Sequence, residues 1–225
     1  MKKYLATLFV NLVAAAAFAA GGSTLTFVGV ACSGSWHTDL YLTGDASGAP
    51  GPQTVTLTYL PFGDGQEATS TTVTVSGGQS PWYGTAYDVV CDEFPGSTNT
   101  SGVLIVDTPF PAWGWVRTWS PPGYGQQLED AQVLQYTELY ATPHFDQSSF
   151  RCNLLLYNPD STYAILTLGN DYVFIEPYQA IILQKLAPGE TFMLVSGGRV
   201  RATLSLVCNA TNDPVTVRLV PVPGG

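Results

Sequence analysis

Two segments of this chain repeat one pattern. Trp36-His37-Thr38-Asp39-Leu40-Tyr41-Leu42 and Phe150-Arg151-Cys152-Asn153-Leu154-Leu155-Leu156 share an aromatic start, an Asp or Asn in the middle and an aliphatic end. They lie about 114 residues apart, the size of one β-sandwich and far longer than a solenoid repeat. A pattern recurring at that distance constrains the chain to two similar folding units. The predicted boundaries are residues 20–127 for the first unit and 148–225 for the second. Residues 128–147 are expected to be a linker or crossover, with a short helix over Gln132 to Tyr140 as one option.

The units read as strands. Thr54-Val55-Thr56-Leu57-Thr58-Tyr59-Leu60 alternates strictly, so Val55, Leu57 and Tyr59 should face a core and the threonines should face away. Pro61-Phe62-Gly63-Asp64-Gly65 supplies turn chemistry after it. Thr71 to Ser76, with Gly77-Gly78 as its turn, Ser101 to Asp107 and Ala112 to Trp119 continue the series. The second unit has the same rhythm, from Phe150–Tyr157 through Ile181–Leu186 and Val200–Cys208 to Val215–Val220. Short strands between Gly/Pro turns predict an all-β chain of two tandem antiparallel β-sandwich domains, immunoglobulin-like or Greek-key in type.

The compartment follows from the N-terminus and the cysteines. Lys2-Lys3, the apolar run Leu5 to Val13 and Ala17-Phe18-Ala19 match a secretion signal cleaved near Ala19, covering residues 1–19. The apolar run is short against the about 20 residues a membrane span needs, which disfavours an uncleaved anchor. The product is therefore expected to be secreted or held at a cell surface, with no membrane insertion of the mature chain. Four cysteines, Cys32, Cys91, Cys152 and Cys208, allow three disulfide pairings. The repeat favours Cys32–Cys91 and Cys152–Cys208, one per unit. Loops of that length would contribute about 4 kcal/mol each in the chain-entropy model. No CxxC motif occurs, and only His37 and His144 are available as imidazole ligands, so no metal and no cofactor is expected.

The order of several further motifs resembles a group of secreted bacterial tandem β-sandwich repeat proteins with no established activity. They are Thr38-Asp39-Leu40-Tyr41-Leu42, Val55 to Pro61, Asp88-Val89-Val90, Arg117-Thr118-Trp119 with Gly125-Gln126, Arg151-Cys152-Asn153-Leu154 to Asn158-Pro159, Leu186-Ala187-Pro188-Gly189 and Asn209 to Pro214. The resemblance covers most of the mature chain and implies the same tandem architecture. It brings no catalytic residues. This chain departs from the group by carrying Cys152 and Cys208 where Thr and Asp are usual.

Charge narrows the partners. The formal net charge is −9 with no basic cluster, so nucleic acid and anionic membranes are poor partners. The strongest binding candidate is Trp113-Gly114-Trp115-Val116-Arg117-Thr118-Trp119. At a period of two, Trp113, Trp115, Arg117 and Trp119 share one face, with Tyr124 in the following loop. That face would either stack on sugar rings or a protein partner, or serve as core. His37 and Asp39 should share an outer strand face, and no Gly-x-Ser-x-Gly elbow accompanies them, so a catalytic triad is not supported. Asp64 to Glu67 and Asn209 to Asp213 offer loop oxygens for a Ca²⁺ ion without matching a calcium-loop pattern.

These readings point first to a non-enzymatic extracellular or cell-surface structural protein. Self-association by strand addition through residues 24–30, an uncharged β-prone segment, is one route. Pairing of that segment within its own sheet is the competing expectation. The alternative function is a carbohydrate-binding module that meets surface glycans with the aromatic face.

Overall fold

A computed structural model describes residues 22–44, 52–76, 88–121 and 123–222. The expected signal segment 1–19 and the Gly77-Gly78 turn lie outside the described residues. The chain is all-β, with several antiparallel sheets and no barrel. The first half contributes β1 (Ser23–Cys32), β2 (His37–Gly44), β3 (Pro52–Pro61), β4 (Thr69–Ser76), β5 (Thr100–Thr108), β6 (Ala112–Ser120) and β7 (Tyr124–Leu128). Sheet I has the order β1-β5-β3-β4 and sheet II the order β2-β6-β7. Their facing side chains form one core that includes Phe27, Leu40, Leu57, Tyr59, Leu104 and Val116. Val55, Leu57 and Tyr59 face that core as their alternation predicts.

The second half contributes β8 (Gln132–Val133), β9 (Leu139–Ala141), β10 (Phe150–Tyr157), β11 (Ala164–Leu168), β12 (Asp171–Ile175), β13 (Ala180–Leu186), β14 (Thr191–Ser196), β15 (Arg201–Cys208) and β16 (Pro214–Val217). Sheet III has the order β13-β10-β15-β16, with β8 also on β15, and sheet IV the order β12-β11-β14-β9. Leu154, Leu156, Leu166, Ile175, Phe192 and Leu204 are buried between them. Residues 128–147 are not a bare linker. They form β8 and β9, which pair with β15 and β14, and Leu134 and Tyr140 enter the second core. No helix forms there; isolated pairs of strand residues carry too little periodicity to be read from sequence.

The two halves are joined by a third apolar cluster. Val28, Leu60 and Val103 on the outer face of sheet I meet Leu155, Tyr157 and Ala180 of sheet III, with Ala131 beside them. Sheet I packs on sheet II by one face and on sheet III by the other, and β7 of sheet II also reaches sheet III, where the Ser205 and Thr216 hydroxyls donate to Gln126 Oε1 at 3.2 Å. Each buried aliphatic side chain in that seam is worth roughly 1.5–3 kcal/mol, so the halves are held as one body. Burial pushes the Tyr157 phenol up to about 12. Polar bonds line the seam: Thr26 N–H donates to Asp130 Oδ1 at 2.7 Å, Ala131 N–H to Thr26 O at 2.7 Å, and Gly63 N–H to Ala180 O at 3.1 Å.

These bonds also engage residues 24–30. One edge of β1 is paired with β5 along its length. On the other edge Thr26 is bonded by Asp130 and Ala131, and Ala31 exchanges two bonds with Thr38 Oγ1. The segment pairs within its own sheet along one edge, and on the other edge Thr26 is already bonded.

One expected disulfide forms and one does not. Cys32 and Cys91 are bonded, with Cα atoms 5.3 Å apart. Cys91 sits on α1 (Val89–Glu93), a short helix capped by Asp88, whose side chain accepts from Cys91 N–H at 3.2 Å. Cys152 and Cys208 carry free thiols, which corrects the expectation of a second bridge. Cys152 lies opposite Leu206, and Cys208 opposite Phe150. They are diagonal neighbours on adjacent strands. Such pairs sit about 7–8 Å apart, beyond the reach of a bridge without backbone movement.

Candidate functional site

The core face of β6 is its small face. Ala112, Val116, Thr118 and Ser120 are buried, whereas Trp113 is 64% exposed. Gly114 explains the inversion. A Cβ there would lie 2.9 Å from Tyr41 O and 3.1 Å from Leu25 Cδ1, so sheets I and II approach closely along β6. Large residues from the facing sheet, Phe27 and Tyr59 among them, fill the volume instead. The tryptophans are left on the outer face of sheet II.

On that face β6 runs antiparallel to β2, which brings Tyr41 opposite Trp115, Asp39 opposite Arg117 and His37 opposite Trp119. Trp115 and Tyr41 stack with ring centroids 3.7 Å apart and planes 13° from parallel. Arg117 lies over Trp119 with its Cζ 5.7 Å from the ring centroid, and His37 approaches the same ring at 4.9 Å. Paired rings of this kind gain about 0.5–1.5 kcal/mol beyond burial, which holds these side chains in place. Gly125 pairs with Trp119, and a Cβ on it would come within 2.7 Å of Thr118 O and 2.8 Å of Trp119 Cβ, so glycine lets β7 approach the β6 backbone closely.

Tyr124 does not join this surface. It pairs with Ser120 and so has the parity of the buried face, which corrects its expected place in the binding set. The sequence showed a loop there; the structure shows β7, and one residue of register decides the face.

Asp39 is the site residue whose environment the sequence misplaced. It lies on the outer strand face yet is fully buried, and among the described residues neither carboxylate oxygen has a hydrogen-bond partner. Trp119 Nε1 is likewise buried and unpartnered; it comes near enough to lower the Asp39 pKa without reaching hydrogen-bond geometry. Burial holds the Asp39 carboxyl above the usual carboxylate range, against the lowering pull of the Trp119 N–H and the Arg117 charge. The signal was available: an Asp two residues before an aromatic on β2, opposite an Arg two residues before a Trp on β6. It became readable only once the strands were paired.

His37 Nδ1 lies 2.9 Å from Asp88 Oδ2, and Asp88 also accepts from Thr38 N–H at 3.2 Å. The helix cap thereby fixes the end of β2 that carries His37. The sequence reading missed α1; Asp88 immediately before Val89-Val90 was its one start signal.

The remaining candidates are engaged by other groups. Asp64 Oδ1 accepts from Gln179 Nε2 at 2.7 Å, Asp213 Oδ1 from Gly125 N–H at 2.9 Å, and Asn212 Oδ1 from Arg151 at 2.9 Å. The two loops considered for Ca²⁺ therefore direct these oxygens at protein donors. Among the described residues one cluster has metal-ligand spacing, Cys32, Asp88 and Cys91, and both its sulfurs are in the disulfide. No family model, no curated protein and no solved structure matches this chain.

Proposed function

We propose that this is a secreted, non-enzymatic binding protein of two tandem immunoglobulin-like domains, and that the outer face of sheet II recognises surface glycans. One observation carries the reading: β6 turns its small residues inward and holds Trp113, Trp115 and Trp119 outward. Trp113 is exposed while Trp115 and Trp119 are half-buried, and leaving an indole in water costs solvation that a purely structural strand avoids by burying it. The exposed Trp113 indole suits the apolar face of a sugar ring, and Trp115, Arg117 and His37 lie along the same strand face as further apolar and polar contacts.

The test is tryptophan fluorescence of the mature protein across a broad panel of neutral and charged glycans. A saturable response that Trp115→Ala abolishes is the expected result. Silence across the panel would remove the glycan reading.

A second observation favours the structural, self-associating role. Sheet IV also presents aromatic side chains outward, with Tyr172 65% and Phe174 62% exposed on its edge strand β12. Sedimentation velocity distinguishes the readings: association that Phe174→Ser abolishes and Trp113→Ala does not would favour self-assembly through sheet IV.

A further inference from the structure

We propose that a cleft at the open end of sheet III binds small organic carboxylates, independently of the aromatic face on sheet II. The cleft has a volume of about 250 Å³ and is lined by Phe145, Phe150, Arg151, Lys185, Leu186 and Asn209, with Gln147 beside them. Its chemistry departs from that of the rest of the chain. Acidic residues outnumber basic ones 17 to 8, yet two cations and no carboxylate line this cavity.

Neither cation is neutralised. Arg199 and Arg201 form ion pairs with Asp160 and Asp130. Arg151 is held by neutral acceptors, Asn212 Oδ1 at 2.9 Å and Asn209 Oδ1 at 3.4 Å. Among the described residues no carboxylate lies within ion-pair distance of Arg151 or Lys185. The neighbouring acid, Asp146, bonds Ser148 and Ser149 within its own turn. A guanidinium has five N–H donors in a fixed fork. Two asparagine oxygens orient it and leave donors for a bidentate carboxylate.

The fold places the lysine deliberately. The β10–β13 register shifts between Cys152 and Leu154, and Lys185 occupies the bulge with φ +59°. Its backbone N–H donates to Asn153 Oδ1 at 3.3 Å. A residue other than glycine at positive φ is strained, and here the bulge sets the only lysine beyond the signal segment against the cleft. Phe145, Phe150 and Leu186 form the apolar wall. The combination fits one carboxylate carried on a six-membered ring, whether a sugar acid or an aromatic acid.

The experiment is a ¹H–¹⁵N titration of the mature protein at low ionic strength, where exposed charges are least screened. The probes are D-glucuronate, benzoate, D-glucose and inorganic phosphate. Saturable shifts at the amides of Phe150, Arg151 and Lys185 with glucuronate, benzoate or both, and none with glucose, are expected. Glucuronate alone identifies a sugar acid as the source; benzoate alone identifies an aromatic acid. Arg151→Gln with Lys185→Gln should weaken binding roughly tenfold or more, about 1.4 kcal/mol, with the spectrum otherwise folded. Should the pair not fold, Lys185→Gln alone serves, with a weaker loss expected. Trp113→Ala should leave carboxylate binding unchanged, which separates this site from the glycan face. Glucose binding as well as glucuronate, phosphate matching the carboxylates, or a folded charge variant binding like the parent would each overturn the proposal.

Discussion

Each half of this molecule buries a core between antiparallel sheets, and the two close it by different means. In the first, the Cys32–Cys91 bond ties α1 to the end of β1, and Asp88 ties the same helix to β2 through His37 and Thr38. In the second, Cys152 and Cys208 stay free, and hydrogen bonds do the closing. Leu219 N–H donates to Gln132 Oε1 at 2.7 Å, Val222 N–H to Leu139 O at 2.7 Å, and the buried Asn158 amide spans Thr162, Ile175 and Glu176. A covalent link acts on the unfolded chain, whereas these hydrogen bonds act on the folded one. The halves should therefore answer differently to the same perturbation.

The largest difference is expected from the cysteines. Cys32→Ser with Cys91→Ser frees a loop with a sequence separation of 59 and should cost about 4 kcal/mol. Cys208→Ser, at a half-exposed free thiol, should stay within about 0.5 kcal/mol. Denaturant unfolding of both variants checks this. Equal, large losses would mean that Cys208 is bonded in the folded protein. Thiol labelling sharpens the same contrast within the second half. Burial pushes Cys152 up to about 11, whereas hydrogen bonds from Thr211 and Ala210 hold Cys208 below its ordinary value. Alkylation should reach Cys208 first.

The next test asks whether the halves are separate at all. Leu155 is buried between sheets I and III, and Leu155→Ala should cost roughly 2–4 kcal/mol. Because the lost contact lies between the halves, calorimetry should show a single parental transition becoming two. A shift with no splitting would place Leu155's contribution inside the second half.

The alternation of Val55, Leu57 and Tyr59 was legible because one face of β3 is wholly core and its neighbours are threonines. The paired cysteine spacing identified the first disulfide for the same reason that it misled on the second: sequence spacing shows that strands meet, and register shows whether two sulfurs do. Cys152 and Cys208 miss by one diagonal step. The Trp row was visible as one face of a strand, but its direction was not. Which face is core depends on how closely β1 crosses β6, set by Gly114 and Leu25 across the sandwich. Asp39 looked solvated for want of its cover, Arg117 and Trp119, which only strand pairing supplies. Residues 128–147 hid β8 and β9 because two- and three-residue strands have no period to detect.

Asp39 provides a smaller, pH-dependent contrast, since among the described residues the first half alone carries a fully buried carboxylate without partners. Burial raises its pKa most; the Trp119 N–H and the Arg117 guanidinium beside it lower it, Asp88 raises it, His37 lowers it least, and burial outweighs them. With the folded pKa above the unfolded one, the folded state binds the proton more tightly. Stability is then greatest below the unfolded carboxylate value of about 3.9 and falls as pH rises through the folded pKa. Asp39→Asn keeps the shape and removes the charge. It should raise the melting temperature at pH 7 and lose that advantage on acidification toward pH 4. A variant less stable than the parent at pH 7 would show that the Arg117 and Trp119 contacts outweigh the burial cost.

The smallest stability effects should come from the two outer faces, where the proposed roles of the halves can be told apart by binding instead. Trp113 on sheet II and Phe174 on sheet IV are exposed to nearly the same degree, 64% and 62%. Each has little native contact to lose, so Trp113→Ala and Phe174→Ser should each stay within about 0.5 kcal/mol of the parent. With folding unperturbed, any change in binding reports the surface itself. Trp113→Ala should weaken the fluorescence-detected glycan response and leave sedimentation unchanged. Phe174→Ser should leave the glycan response unchanged, and any self-association that runs through sheet IV should fall with it. If Trp113→Ala instead lowers stability by more than about 1 kcal/mol, the indole is packed in solution and the outer face of sheet II is not a free platform. If both variants reduce the glycan response, the ligand spans more than one face, and the two outer faces act together.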